Sequence, residues 1–512
     1  MTFSKAIYLL LICNILAFSA CQDDPSLQGT AATYIPAGAT GVVTLNPQQL
    51  MDKAGFENFR NFSFFTKMVS ATSEQNPLIA QVMEQPERSG VDLGKPVFIA
   101  HKLTGGEKQQ TTFMLFMSLR NVADFEKMFA SENLEIKSQG DVRYITVSDG
   151  AILGWNENTA VALSADSPSP GLADELTTIF EARPKQSLAD NRKFRQSQQG
   201  EHDISLWFSS SELALPEGSE PVFLALEIPP SAFKNNEIHA FMDFEEGRIT
   251  GHADLYPDDD TGQNLMWRIF KKEQQAGFST LLPGEGLQFA ATAAIDIRGV
   301  DKIISERPQL SSPVENFYEA IGLSRREVLS TFGGDFLVAG YDNAGGGEPV
   351  MVFATNFKTE GIADAYLKDA VEKGMLREME GGGYKFLGVS SETFSIRVNK
   401  GLGFAALKGS TLCFSKDKDI IESIQNGDAT NTTPLAKSGT AQPVTGWVSA
   451  EMLGQIFPAE GSSFREMQFS ARKNGADFIL KTSDEHTNSL KTIFEKLDEA
   501  CRQKENVPEK RI

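Results

Sequence analysis

The chain has 512 residues, too many for one ordinary hydrophobic core and enough for roughly two to four domains. Hydrophobic residues make up 41% and charged residues 23%, which excludes a disordered or membrane-embedded chain and suits a soluble globular one. With 68 acidic against 48 basic residues the formal charge is −20, a field that repels phosphate backbones and excludes nucleic acid as a partner.

Lys5 precedes an apolar run over residues 7–20 (IYLLLICNILAFSA). The run is too short to cross a bilayer as a helix, which takes about 20 apolar residues, and it suits the apolar segment of an export signal. Small Ser19 and Ala20 stand directly before Cys21. A cysteine in this register resembles the lipobox of bacterial lipoproteins, with Phe18 where leucine is usual. The resemblance implies removal of residues 1–20 and acylation of the Cys21 thiol, with residues 21–33 as the tether. Loss of Lys5 then leaves a charge of −21. No second long apolar run follows, so nothing beyond the lipid should enter the membrane.

From residue 34 the order of elements is written twice. Residues 34–38 (YIPAG) and a strand at 41–45 open the first half; residues 281–285 (LLPGE) and a strand at 288–295 open the second. Helical stretches follow at 47–72 and 299–322. Paired apolar runs at 96–102 and 111–119 match 335–341 and 349–357, each pair split by a Gly-rich turn. Amphipathic helices come next, 121–133 and 359–374. The strands 142–147, 151–155 and 159–164 match 384–389, 394–398 and 403–407, and helices 172–180 and 419–424 follow them. Strands 203–209 and 444–449 carry Trp207 and Trp447 at the same place. Hairpins at 238–256 and 464–482, turning at Glu246-Gly247 and Asn474-Gly475, lead into helices at 261–274 and 487–501. Surface joints fall at 168–170 and 426–433, and residues 283–286 mark the main boundary. The expected fold is α+β: two tandemly duplicated halves, 34–280 and 281–505, each a mostly antiparallel sheet with helices on one face, then a disordered tail at 506–512.

The segments 34–55, 89–100, 202–208 and 239–251 form a pattern of strand and turn residues. It resembles the domain of unknown function 4836 family of lipoproteins from Bacteroidetes. That resemblance implies a lipoprotein of the bacterial envelope and brings no activity. Asp23-Asp24 after Cys21 looks like the signal that sends such lipoproteins to the outer face.

Motifs with chemistry fail on context. Gly401-Leu402-Gly403-Phe404-Ala405-Ala406 fits a dinucleotide pattern but lies between strands, where no helix N-terminus meets a pyrophosphate. Residues 90–96 (GVDLGKP) are one residue short of a phosphate loop, and Pro96 replaces the magnesium-binding hydroxyl. Asp258-Asp259-Asp260 lacks the spacing of a calcium loop and reads as a helix cap, with a loosely held surface Ca²⁺ as the other reading. His239 and His252 can oppose each other on one hairpin, yet two imidazoles fall short of a zinc site. Ser209-Ser210-Ser211 lacks a nucleophile elbow. Phe59, Phe62, Phe64 and Phe65 suit burial against a sheet, or a partner patch if exposed. Cys413 and Cys501 are too far apart to read as a disulfide framework and are expected as free thiols.

No catalytic, cofactor or metal residue is assigned; Cys21 is the one site residue. The reading is an exported protein anchored by lipid to the cell envelope, at the outer membrane, that binds or builds rather than catalyses. The alternative is a surface hydrolase or carbohydrate-processing enzyme whose site gathers residues distant in sequence. The membrane is the partner through the anchor, and a protein or glycan partner is unnamed.

Overall fold

The computed structural model describes residues 27–505 apart from 28, 76, 105–109, 131–133, 149, 166–170, 183–185, 212–234, 258–268, 272, 275–276, 307–310, 313, 316–323, 344–345, 381, 388–402, 428–432, 434–441 and 458–462. The chain is α+β and gathers into two compact units. The first holds the described residues up to 52, with 68–212 and 239–241; the second holds those of 53–67, 213–238 and 242–505.

The first unit contains β1 (Gly41–Leu45), β2 (Val97–Thr104), β3 (Gln110–Ser118), β4 (Lys137–Gln139), β5 (Val142–Ser148), β6 (Ala151–Trp155), β7 (Thr159–Ala165) and β8 (Ile204–Ser209). All pairings are antiparallel, in the order β4-β5-β6-β7-β3-β2-β1-β8. One sheet face carries Val42, Phe98, Ala100, Met114, Phe116, Val161, Leu163 and Trp207 into a core. The helix Leu172–Glu181 closes it with Leu172, Leu176 and Ile179, spaced to share one helical face. Phe194 of the helix Arg192–Ser197 packs edge-on to Trp207 at 5.7 Å; Asn191 caps that helix by accepting from Lys193 N and Phe194 N. Burying each such aromatic is worth about 1.5–3 kcal/mol.

The second unit contains β9 (Glu237–Glu245, of which residues 239–241 cluster with the first unit), β10 (Arg248–Tyr256), β11 (Leu287–Ala294), β12 (Phe332–Tyr341), β13 (Val350–Phe357), β14 (Leu376–Glu378), β15 (Tyr384–Phe386), β16 (Phe404–Lys408), β17 (Thr411–Ser415), β18 (Val444–Ser449), β19 (Phe464–Arg472) and β20 (Gly475–Thr482). Their order is β14-β15-β16-β17-β13-β12-β11-β18-β19-β20-β10-β9. Leu337, Ala339, Val352, Ala354, Cys413 and Trp447 face Ile421 and Ile424 of the helix Lys418–Asn426. Gly427 ends that helix at φ 81°, a left-handed conformation that glycine adopts without a Cβ clash. Read from β4 and from β14, the two orders run alike through β8 and β18.

Several boundaries depart from the sequence reading. The match of 159–164 with 403–407 is displaced by one strand: the place of β7, paired to both β3 and β6, is held by β17, and β16 takes the place of β6. The turn at Gly409-Ser410 is so short that its flanking strands read as rivals for one role. Residues 394–398 and the joint 168–170 lie outside the described residues. The expected helix 47–72 is three helices, Pro47–Ala54, Phe56–Phe59 and Ser63–Gln75, the first two parted at Gly55, at φ 65°. Residues 269–271, 273 and 274 are not helical; Phe270 bridges to Ile295 instead. The hairpin expected to turn at Asn474-Gly475 turns one residue earlier, with Gly475 opening β20. Among the described residues no helix is long and apolar enough to cross a membrane.

Candidate functional site

Antiparallel register places one row of polar residues across five strands of the second unit: Thr292, Thr445, Ser470, Asp477 and His252, each directly opposite the next. Directly opposed residues share a sheet face, so the row is continuous. Its inner end is closed. Thr292 and Thr445 hydroxyls lie 2.8 Å apart, and Gln274 donates to both, at 2.5 and 3.3 Å. Beside the row, a hollow of about 190 Å³ is lined by Gln442, Thr445, Gln468, Ser470, Asp477 and Ile479.

The outer end is an ionic cluster. His252 Nδ1 lies 2.6 Å from Asp477 Oδ1 and Nε2 lies 2.9 Å from Asp254 Oδ2. Arg472 spans the same two carboxylates, donating to Asp477 Oδ2 at 2.6 Å and Asp254 Oδ1 at 2.8 Å. Partial burial opposes a charge on His252, but the hydrogen bonds and charges of Asp477 and Asp254 outweigh it and raise the imidazole above its ordinary pKa. With a carboxylate oxygen within hydrogen-bond distance of each ring nitrogen, and Arg472 3.1 Å from Nε2, the imidazole is engaged on both sides. Two positions along the same face, Trp447 Nε1 donates to Glu466 at 3.0 Å and Lys481 pairs with that carboxylate at 2.7 Å. Burial pushes the Glu466 carboxyl up, yet these two donors hold it below the usual range.

A family model described as Domain of unknown function (DUF4836) matches residues 32–343, more than half of the chain. The chain belongs to this family. None of the curated proteins matches the DUF4836 chain. Among solved structures it is similar to crystal forms I and III of TP0453, at 11% and 12% identity. These cover 46% and 48% of this chain and 84% and 88% of the other, each with a TM-score of 0.26. A likeness of that size carries no argument about fold or function.

The DUF4836 chain scatters most residues that the sequence reading singled out. Cys21, Asp258-Asp259-Asp260 and Gly401-Leu402 lie outside the described residues. Residues 90–96 form a turn entering β2: Gly90, at φ 73°, accepts from Arg120 N and Asn121 N. His101 lies over Gly41 and stacks on Phe208 at 6.2 Å, and burial pushes its pKa down. His202 stacks on Phe241 at 3.7 Å. His252 pairs with Asp477 of β20, and among the described residues no group of three His, Cys, Asp or Glu is placed to hold a metal ion. Phe62 and Phe64 pack at 5.8 Å, and Phe64 meets Phe494 of the helix Ser489–Glu505 at 5.7 Å. Cys413 and Cys501 are free, and burial pushes the Cys413 thiol up to about 12. Nothing in the sequence singles out Arg472, Asp477 or Asp254; the alternation in 250–254 and 475–479 names a sheet face but no partner.

Proposed function

We propose that this DUF4836 protein is exported, anchored to the cell envelope through acylated Cys21, and acts there by binding or as a structural element. One observation carries the reading: the apolar run 7–20, the small pair Ser19-Ala20 and Cys21 arrive in one register. The ionic cluster is consistent with a role other than catalysis, since both nitrogens of His252 are already engaged. The shared strand order is, on the same reading, the trace of an internal duplication.

Cys21→Ala tests it. The variant should lose incorporation of a clickable palmitate analogue and move from the membrane to the soluble fraction. Membrane association and normal processing retained in that variant would overturn the anchor. Carboxylate-dependent turnover of a glycosidic, ester, peptide or phosphoester substrate by the purified chain would overturn the non-catalytic half.

A further inference from the structure

The second unit holds a cavity of about 600 Å³ whose polar wall is Thr280, Asn356, Lys358, Lys408, Ser410 and Thr411. Among the described residues two lysines and no carboxylate line it, in a chain where acids outnumber bases by 68 to 48. That volume lies within the range of small-molecule sites. Lys408 Nζ donates to Gln425 O at 3.2 Å and Lys358 Nζ donates to Leu329 O, which fixes both ammonium groups in place. An ammonium has three donors, and among the described residues each lysine uses one in these bonds. Behind the wall, the buried Asp335 carboxylate is paired with Lys271 at 2.7 Å and accepts from Asn356, so its charge is compensated before it reaches the cavity. Glu360, two residues from Lys358, approaches Gly409 near the Lys408 turn.

The first unit shows the same place built differently. Ser118 opposes Thr159 as Asn356 opposes Thr411. Leu119 N donates to Asn158 O as Phe357 N donates to Ser410 O. Thr33 Oγ1 donates to Thr30 O as Thr280 Oγ1 donates to Gly277 O. These matches put Tyr34 where the second unit has Leu281, Asn156 where it has Lys408, and Arg120 where it has Lys358. In the first unit Asn156 donates to the Tyr34 hydroxyl at 3.0 Å, and the Tyr34 ring packs on Phe180 at 5.4 Å. Leu281 has neither the hydroxyl nor the reach to repeat that bond, and a lysine replaces its partner.

We propose that this cavity binds a small polyanion, a solute bearing carboxylate or phosphate groups, through Lys358 and Lys408. The proposal goes beyond the anchoring reading and does not depend on it, since binding in solution takes no account of Cys21. The test is calorimetric titration of the full chain in detergent with citrate and with pyrophosphate, the two arms separating carboxylate from phosphate recognition. At least one should bind with 1:1 stoichiometry and weaken as salt rises. Lys358→Gln should weaken it tenfold or more. The double variant Leu281→Tyr/Lys408→Asn, which writes the first unit's arrangement into the second, should abolish binding while keeping the thermal midpoint. Binding of neither probe overturns the proposal, as does binding unchanged in Lys358→Gln; should the double variant fail to fold, the single variant still decides.

Discussion

His252 is held by two carboxylates contributed from opposite ends of the unit's sequence: Asp254 lies two residues away and Asp477 lies 225 away. A histidine whose native pKa is raised above its unfolded value stabilises the fold fully below the unfolded value, near 6.5, and loses that contribution as pH climbs through the native value. The charged groups facing it are Asp254, Asp477 and Arg472, so the sign is set by two carboxylates against one guanidinium. His252→Gln should therefore cost on the order of 1–2 kcal/mol at pH 5.5, with the deficit shrinking toward pH 8.5. Chemical denaturation at the two pH values checks it; an equal deficit at both would show that the imidazole is neutral. None of this was legible residue by residue. The hairpin pattern puts His252 on one arm with His239 on the other, because local pairing is written in the sequence and the strand that arrives later is not.

At the scale of elements, glycine and aromatic residues are opposed in pairs. Gly251 faces Phe478, Gly446 faces Phe469 and Gly340 faces Phe289 directly across their strands. In each pair the ring lies where a Cβ would sit: a Cβ on Gly251 would come within 1.9 Å of the Phe478 ring. The ring thereby covers backbone that glycine leaves bare. Gly251→Val should cost about 1–3 kcal/mol by overpacking, read from the midpoint of urea unfolding. Undiminished stability would mean that the ring moves aside freely. Periodicity made most of these strands and their hairpins legible. It misplaced the 403–407 and 410–415 strands because two short apolar runs separated by Gly409-Ser410 satisfy one pattern equally well. Burial, the other half of the pattern, depends on which sheet neighbours arrive, and that is a tertiary fact.

At the scale of the whole molecule, strand pairing reaches across the Pro-containing segment at 283–286. Residues 248–254 pair with 475–481, so β10 belongs with strands far downstream. A fragment spanning 242–505 should therefore melt cooperatively at a higher midpoint than one spanning 281–505, since the shorter piece leaves the β20 edge unpaired. Equal midpoints, read by circular dichroism, would show that β10 adds nothing to the unit's stability. The α+β class and the run of elements could be read from sequence; membership of the strands in compact units could not, because pairing across more than 200 residues leaves no local mark.

That pairing also sets a timetable. β10 leaves the biosynthetic machinery long before its neighbour, and 225 residues separate His252 from Asp477. Until the last strands emerge it presents an open row of amide and carbonyl groups. Closure over so long a loop is slow, because the chain entropy is surrendered before any contact is gained. The second unit is thus committed to folding late, and the interval in which β10 waits is when this protein is most exposed to pairing with the wrong strand.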